Sequence, residues 1–219
     1  MPKVTEEYIA NKKKEIIDAA YQVCLEKPIT DIVLQDITDK TGFSHGVIYR
    51  YYKDIDEVLH DLVASINSSY SYDEQWKAIL KESEDWQTVI RKTCRMGSDL
   101  TLSMDIGTLK ISAYANVLAM SDPDRVISIG SSLKDGEKNP FNALLRSVKD
   151  YLEDLREKGV IHPSATSAEI IQYIYVSVRG IQQVYTLNQC TGGRVFRSSY
   201  DVSKMFEMLG DSLINLIGG

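Results

Sequence analysis

The chain lacks the features that would place it in a membrane or in an oxidising compartment. No apolar run reaches the roughly 18–20 residues that a membrane-spanning helix needs. The opening stretch MPKVTEEYIANKKK is polar and has no apolar signal-peptide core. The three cysteines, Cys24, Cys94 and Cys190, are odd in number and widely spaced. We therefore expect a cytoplasmic protein with reduced, mostly buried thiols and no membrane partner, and a redox-sensing cysteine is the alternative.

Signatures of catalysis and of metal binding are missing as well. The sequence has no glycine-rich phosphate loop, no HExxH and no CxxC. Its three histidines, His45, His60 and His162, are scattered, and no spacing of Ser, His and Asp singles out a catalytic triad. We predict a protein that is not an enzyme and that has no catalytic residue, no metal site and no cofactor.

Alternating strand patterns of useful length are also absent, so the chain is predicted to be all-α. A hydrophobic content of 43% is enough for a core. Segments 121–125 (SDPDR) and 134–140 (KDGEKNP) are predicted to be breaks. Helical periodicity predicts helices over 14–25, 34–40, a short stretch from 44, 55–68, 74–83, 85–103, 105–119, 139–158, 167–189 and 201–217.

What the sequence does contain is concentrated in residues 34–59, LQDITDKTGFSHGVIYRYYKDIDEVL. A short helix runs into Gly42, which suits a sharp turn that needs positive φ. Val33 and Ile37 are expected to share the buried face of that helix, and Ser44 to cap the next one through its hydroxyl. This layout is typical of a helix-turn-helix, in which the second helix enters the DNA major groove. For this segment alone, an ordinary helical hairpin with a glycine turn is the alternative.

The wider stretch from Ile16 to Leu59, about a fifth of the chain, resembles the amino-terminal domain of the TetR family of bacterial transcription regulators. The pieces IIDAAYQVC, LQDITDKTGFSHGVIYRYYKD and DEVL follow the order of the family's ILDAA-type helix, IA..AGVS-type turn and LY.YF.sKe.L-type ending. Ile55 stands where the family often has a lysine that grips a phosphate. Val33 or Leu34 replaces the usual Thr or Ser that opens the second helix, so Thr30 or Asp31 is expected to cap it.

The resemblance implies two domains. We place a three-helix helix-turn-helix DNA-binding domain at residues 1–54 and a larger helical ligand-binding and dimerisation domain at 55–219. Segment 152–174, LEDLREKGVIHPSATSAEIIQYI, adds a weaker likeness to the family's regulatory domain, in which a helix ends in glycine and a proline-containing loop leads into a long helix.

The resemblance also implies which positions contact DNA. Arg50 has the fork that suits guanine or phosphate, and Gln35 and His45 can bond base edges. Val47 can meet a thymine methyl group, whereas the tyrosine hydroxyls suit phosphates. Tyr52 is expected in the core. The full set of predicted DNA-binding residues is Gln35, Ser44, His45, Gly46, Val47, Tyr49, Arg50, Tyr51 and Lys53.

Charge is distributed unevenly along the chain. The net charge is −6, and residues 1–60 hold eight Lys/Arg against eleven Asp/Glu, but residues 40–53 carry Lys40, Arg50 and Lys53 with no acid. A local positive surface on an acidic protein fits a binder of a specific operator with weak non-specific affinity. Lys12, Lys13 and Lys14 form a second cluster, for which ordinary solvated lysines are the alternative.

The resemblance implies a small-molecule pocket among the middle helices. Methionines and tyrosines there suit an apolar or aromatic effector, and a plain core role is the alternative for each of them. The candidate ligand-binding residues are Met96, Leu100, Met104, Tyr114, Leu118, Phe141 and Tyr173.

The helices near 167–189 and 201–217 are apolar on more sides than a lone surface helix needs. The resemblance implies a homodimer built from them as a four-helix bundle, and a core helix of a monomer is the alternative. A dimer would place two recognition helices about 34–36 Å apart on a near-palindrome. The candidate interface residues are Ile170, Ile174, Val178, Ile181, Tyr185, Met205, Leu209 and Leu213.

These expectations combine into one function. The chain is predicted to be a ligand-responsive transcriptional regulator that binds a double-stranded DNA operator as a dimer, represses, and is released by a small molecule. Activation is an open alternative to repression. A protein of the same fold that binds a ligand or a protein partner, with lost or weak DNA binding, is the alternative function.

Overall fold

The computed structural model describes residues 5–131, 133, 139–194 and 200–218, and these residues contain helices and no strand. The predicted all-α class is therefore confirmed. No helix within the described ranges is both long and apolar enough to cross a membrane. The helices are α1 (Glu6–Glu26), α2 (Leu34–Thr41), α3 (His45–Ile48), α4 (Ile55–Ser68), α5 (Asp73–Glu82), α6 (Trp86–Ser103), α7 (Ile106–Ser121), α8 (Pro123–Ser131), α9 (Pro140–Glu157), α10 (Ser167–Cys190) and α11 (Val202–Gly218), with a 3-10 turn at Ile29–Asp31.

The described residues form two compact units. The first holds residues 5–70 with 110–131 and 133, and the second holds 71–109, 139–194 and 200–218. The boundary expected at residue 54 lies inside the first unit, because Val58, Leu59 and Leu62 of α4 share one core with α1–α3. The division into a DNA-binding and a regulatory domain stays a prediction.

The core of the first unit is built from apolar side chains at helical spacing. Each such isoleucine or leucine contributes about 1.5–3 kcal/mol when buried. The helix α1 begins at Glu6, well before the predicted residue 14, because Thr5 accepts the N–H of Tyr8 and acids occupy the first turn. The fully buried residues of this core include Ile16, Ala20, Cys24, Ile37, Ile48, Val58 and Leu59.

The start of α2 differs from the expectation. Neither Thr30 nor Asp31 caps it; the Asp36 carboxylate accepts the N–H of Val33 at 2.8 Å and pairs with Lys27 at 2.6 Å. Val33 precedes the helix in extended backbone and is 52% exposed, so it does not share the buried face of Ile37. At the other end, Gly42 adopts φ 69° and its N–H bonds to Thr38, which confirms the expected left-handed turn.

The helix α3 is only one turn long. Ser44 is its N-cap residue, but the predicted hydroxyl cap is wrong, because the Ser44 side chain makes no cap hydrogen bond. Its backbone oxygen accepts the N–H groups of Val47 and Ile48, as in the first turn of any helix. Past Ile48 the chain continues as a turn, in which the N–H of Tyr51 bonds to the oxygen of Ile48 at 2.9 Å. Tyr49, Arg50 and Tyr51 are thus presented by a turn and not by a longer helix.

One helix arises where a break was predicted. Pro123 opens α8, since the first helical position needs no N–H donor, and Asp122 caps the helix by accepting the N–H of Arg125 at 3.2 Å. The second predicted break, 134–140, lies mostly outside the described residues. At its end, Asn139 caps α9 by accepting the N–H of Phe141 at 2.9 Å.

The second unit is held by close packing of α6 on α11. A Cβ added at Gly97 would lie 2.7 Å from the Phe206 ring, so the two helices approach as closely as a glycine permits. The predicted burial of thiols is confirmed for Cys24 in the first unit and Cys94 in the second, and burial raises the pKa of each to about 12. Cys190, at the end of α10, is exposed.

Candidate nucleic-acid interface

The outer face of α2 and α3 joins three of the predicted DNA-binding residues. The Gln35 amide nitrogen donates to Asp39 Oδ1 at 2.5 Å, and His45 Nε2 lies 2.5 Å from Gln35 Oε1. The imidazole stacks on the Tyr49 ring with centroids 6.2 Å apart and planes 21° from parallel. The side chains of Gln35, Asp39, His45 and Tyr49 are all exposed. Sequence reasoning missed Asp39, although its four-residue spacing from Gln35 on a helix was a usable signal.

The cations of this face are mostly paired with acids. Lys53 Nζ lies 3.3 Å from Glu57 and 3.7 Å from Asp54, and the hydrogen bond to Glu57 with the charges of both acids raises the pKa of Lys53. Arg50 is exposed and, among the described residues, has no acidic partner. Other lysines of the first unit are paired as well: Lys12 with Glu15, Lys13 with Asp61, Lys14 with Asp18 and Lys40 with Glu26. The local positive surface is therefore smaller than the sequence predicts.

Other predicted contact residues differ in accessibility. Ser44 and Gly46 are exposed, and a Cβ added at Gly46 would meet nothing within 4 Å. Val47 is half-buried, and Tyr51 is half-buried against the core of the first unit. All nine positions stay predictions as DNA contacts.

A polar cluster behind this face fixes the buried Tyr52. Its hydroxyl donates to Asp61 at 2.8 Å, Lys13 pairs with the same carboxylate at 3.1 Å, and His60 Nδ1 lies 3.0 Å from it. Burial and then the bond to Asp61 raise the pKa of Tyr52. Burial alone raises the pKa of Asp61, but the bonds from the three neighbours outweigh it and hold that pKa below its usual range. Sequence reasoning missed Asp61; the signal was a tyrosine where the family pattern has phenylalanine, since a buried hydroxyl needs a partner.

The predicted ligand-binding residues divide between the two units. In the first unit, Leu118 is buried and Tyr114 packs against the core. The others lie in the second unit, where Met96 is buried and Leu100 and Met104 are half-buried. Phe141 stacks on Tyr175 with centroids 6.1 Å apart, and the Arg179 guanidinium lies over both rings. An open groove of about 550 Å³ is lined by Tyr173 but by none of the other six, and the Tyr173 hydroxyl lies 2.9 Å from Ser212 Oγ.

The predicted dimer surface is partly used inside the chain. Ile170, Val178, Leu209 and Leu213 are buried by packing among the helices of the second unit, so they are not available to a partner. Ile174, Ile181, Tyr185 and Met205 are half-buried. The accessible apolar face of α10 and α11 is a different one, and it carries Tyr173, Val176, Leu187 and Met208.

Taken together, the left-handed glycine turn between α2 and α3, the buried inner face and the exposed polar outer face define a helix-turn-helix unit, the class of structure that places side chains in a DNA groove. A larger all-helical unit accompanies it.

Comparisons with known proteins agree with this class. No protein-family model matches the chain. Over 62 residues it is 31% identical to the uncharacterised HTH-type transcriptional regulator YfiR of Bacillus subtilis, a match that spans 28% of this chain and 30% of that relative. A TetR-family transcriptional regulator from Mesorhizobium loti has a similar structure, with a TM-score of 0.64 at 17% identity over 96% of this chain and 98% of that one. FadR of Bacillus subtilis, solved in complex with stearoyl-CoA, gives a TM-score of 0.63 at 17% identity over 93% of this chain and 98% of that one.

The chain therefore has the fold of the TetR-type transcriptional regulators. The resemblance predicted from its sequence is confirmed at the level of the fold.

Proposed function

We propose that the protein is a transcriptional regulator that binds a near-palindromic operator as a homodimer, represses, and is released from DNA by a small molecule. The observation that carries this proposal is the helix-turn-helix, which presents an exposed Arg50 with no acidic partner among the described residues and also carries the linked Gln35 and His45. An unpaired guanidinium can bind guanine or phosphate bidentately without first losing a protein partner. We propose no catalytic role, because the similar proteins are regulators.

The dimer would form through the accessible apolar face of α10 and α11. Tyr173, Val176 and Leu187 lie exposed along α10, and exposed Gly180 leaves room for a second helix to approach. Apolar side chains that stay in water favour a partner. Two copies would supply the two recognition elements that a near-palindrome requires.

The effector would be an apolar or aromatic small molecule bound by the second unit. The stearoyl-CoA complex of the similar FadR supports a ligand with a long apolar part. A ligand that binds more tightly to a DNA-incompetent state shifts the population toward that state, and operator and ligand then weaken each other by the same factor.

The experiment that tests DNA binding compares two arginine variants on genomic fragments enriched by the wild-type protein. Arg50→Ala is expected to weaken binding about 10- to 100-fold, as the loss of a good bidentate contact does. Arg95→Ala removes an exposed arginine of the second unit and is expected to bind like the wild type. Equal binding by both variants at fixed salt would contradict the proposed interface.

One observation favours the alternative function, a ligand-binding or protein-partner module with weak DNA binding. Lys13, Lys40 and Lys53 are all paired with acids, and Ile55 stands where a phosphate-binding lysine is frequent in the family. Salt dependence separates the two functions. A DNA reader that neutralises several phosphates loses affinity steeply as salt rises, with a slope of about −0.9 per phosphate contact. A module that does not read DNA shows no enriched fragment and no such slope.

A further inference from the structure

Asp39 is an exposed acid on the surface that is proposed to approach DNA phosphates, where its charge would oppose binding. Its carboxylate lies 2.5 Å from the Gln35 amide nitrogen. An ionised carboxylate can only accept hydrogen bonds. The end of Gln35 turned toward Asp39 must therefore be the NH2 group, and the opposite end, Oε1, faces His45.

The same logic extends to the imidazole. Gln35 Oε1 is an acceptor and lies 2.5 Å from His45 Nε2, so Nε2 carries the hydrogen. A neutral imidazole has one N–H, which leaves Nδ1 as an acceptor. Stacking on Tyr49 limits rotation of the ring. Asp39 thus fixes which group donates and which accepts in the two hydrogen bonds that link Asp39 to Gln35 and Gln35 to His45. We call these two bonds, which run from α2 to α3, the relay.

These bonds determine what Gln35 can offer to a base. Beyond these two bonds the amide has a second N–H and a second lone pair on Oε1, which are a donor and an acceptor on one group. That pair matches N7 and N6 of adenine. Without the carboxylate, the amide can turn end for end and exchange donor for acceptor.

We propose that Asp39 is a positioning residue for base recognition: it fixes which end of Gln35 donates and which nitrogen of His45 is protonated. The relay itself is a property of the free protein. Its consequence for reading DNA rests on the proposed function, so the two are tested separately.

The first test reads the His45 tautomer in the full chain labelled with 15N-histidine, at about pH 9, where imidazoles are neutral and carboxyls ionised. Exposed His162, in the second unit, is the internal reference. The wild type is expected to show more of the Nε2–H form at His45 than at His162. In Asp39→Asn that excess is expected to disappear, because asparagine both donates and accepts.

The control is Asp18→Asn, which removes the same charge from an exposed residue of α1 that pairs with Lys14 at 3.3 Å. It is expected to leave the His45 tautomer unchanged, and thermal unfolding checks that both variants fold. A wild-type His45 that matches His162, or an Asp39→Asn variant that keeps the excess, would overturn the relay.

The second test selects sites from a randomised duplex library at fixed salt. In Asp39→Asn, the preference for A·T is expected to fall about tenfold at the position that Gln35 reads in each half-site, and positions read by neither Gln35 nor His45 are expected to keep their preferences. A uniform change in affinity with all preferences intact would overturn the positioning role, since it reflects charge alone. If the wild type enriches no duplex, the proposed function fails, and the tautomer comparison still decides the relay.

Discussion

The two faces of the segment from Leu34 to Asp54 are built in different ways. On the inner face, Ile37, Ile48 and Tyr52 are at most 2% exposed and are fixed by packing. On the outer face, Tyr49 is 57% exposed, and hydrogen bonds and ion pairs hold the polar side chains. Packing therefore sets where the backbone lies, whereas pairing sets which groups are available to a ligand. Substitutions on the two faces should consequently change different measurements.

The largest expected effect is on the inner face. Ile37→Ala should lower the free energy of unfolding by about 2–4 kcal/mol, because it leaves a cavity in a filled core. Val33→Ala removes an apolar group at the start of the same helix but at 52% exposure, and should cost less than about 0.5 kcal/mol. Chemical denaturation measures both. Equal losses in the two variants would show that the inner face does not carry the stability of this unit.

The polar cluster of Tyr52, Asp61, Lys13 and His60 should make a pH-dependent contribution to the free energy of unfolding. Asp61→Ala leaves the buried Tyr52 hydroxyl without its acceptor and should cost about 2–3 kcal/mol near pH 7. The pKa of Asp61 is lower in the folded than in the unfolded chain, so its stabilisation is complete above about pH 4 and is lost as pH falls through the folded pKa. The difference in the free energy of unfolding between the wild type and Asp61→Ala should therefore persist down to about pH 4 and become smaller below it. A difference that grows in acid would contradict this assignment.

On the outer face, removal of a hydroxyl should change binding and not folding. Tyr49→Phe should weaken duplex binding by about 0.5–1.5 kcal/mol, the value of one hydrogen bond, with the unfolding midpoint unchanged. Tyr175→Phe, at 40% exposure in the second unit, is the matched control and should bind duplex like the wild type. Fluorescence anisotropy at fixed salt measures both, and wild-type affinity in Tyr49→Phe would remove this residue from the interface.

The smallest expected effect comes from releasing a paired cation. Glu57→Gln removes the main acidic partner of Lys53, so the lysine becomes available to a phosphate. The slope of log affinity against log salt should then steepen by about 0.9, with tighter binding at low salt. Glu153→Gln breaks a similar pair with Lys149 at 3.2 Å in the second unit and should leave the slope unchanged. An unchanged slope in both would place Lys53 away from DNA.

Most of the fold was predictable, because helical periodicity marks the buried positions directly. The α4 bounds, 55–68, match the prediction, since Asp54 supplies a clear cap by accepting the N–H of Glu57. The missed helix α8 shows the limit of such signals: a proline reads as a break, yet at the first turn of a helix it costs nothing. The single-turn length of α3 was not predictable either, because its residues carry no signal that ends a helix at Ile48.

The candidate site was predictable in its residue types but not in its pairing. Gln35, His45 and Arg50 follow from the pattern of the outer face, whereas the neutralisation of Lys53 and Lys13 depends on where the acids Glu57 and Asp61 fall in space. The predicted dimer stripe stays a prediction, and its residues show a related limit of sequence patterns. An apolar stripe on a helix such as α10 does not reveal whether its own chain or a partner covers it, and here its own chain covers Ile170 and Val178.

The alkylation rates of the three cysteine thiols can report the opening of each unit separately. Cys24 is enclosed in the first unit and Cys94 in the second, while Cys190 is open to solvent. An alkylating reagent reaches a buried thiol only when the surrounding structure opens, so each labelling rate reports the opening of one unit. Mass spectrometry of the three sites over time would thus show whether the two units open together or separately. It would also show whether an effector or a duplex slows the labelling of Cys24 or of Cys94 alone.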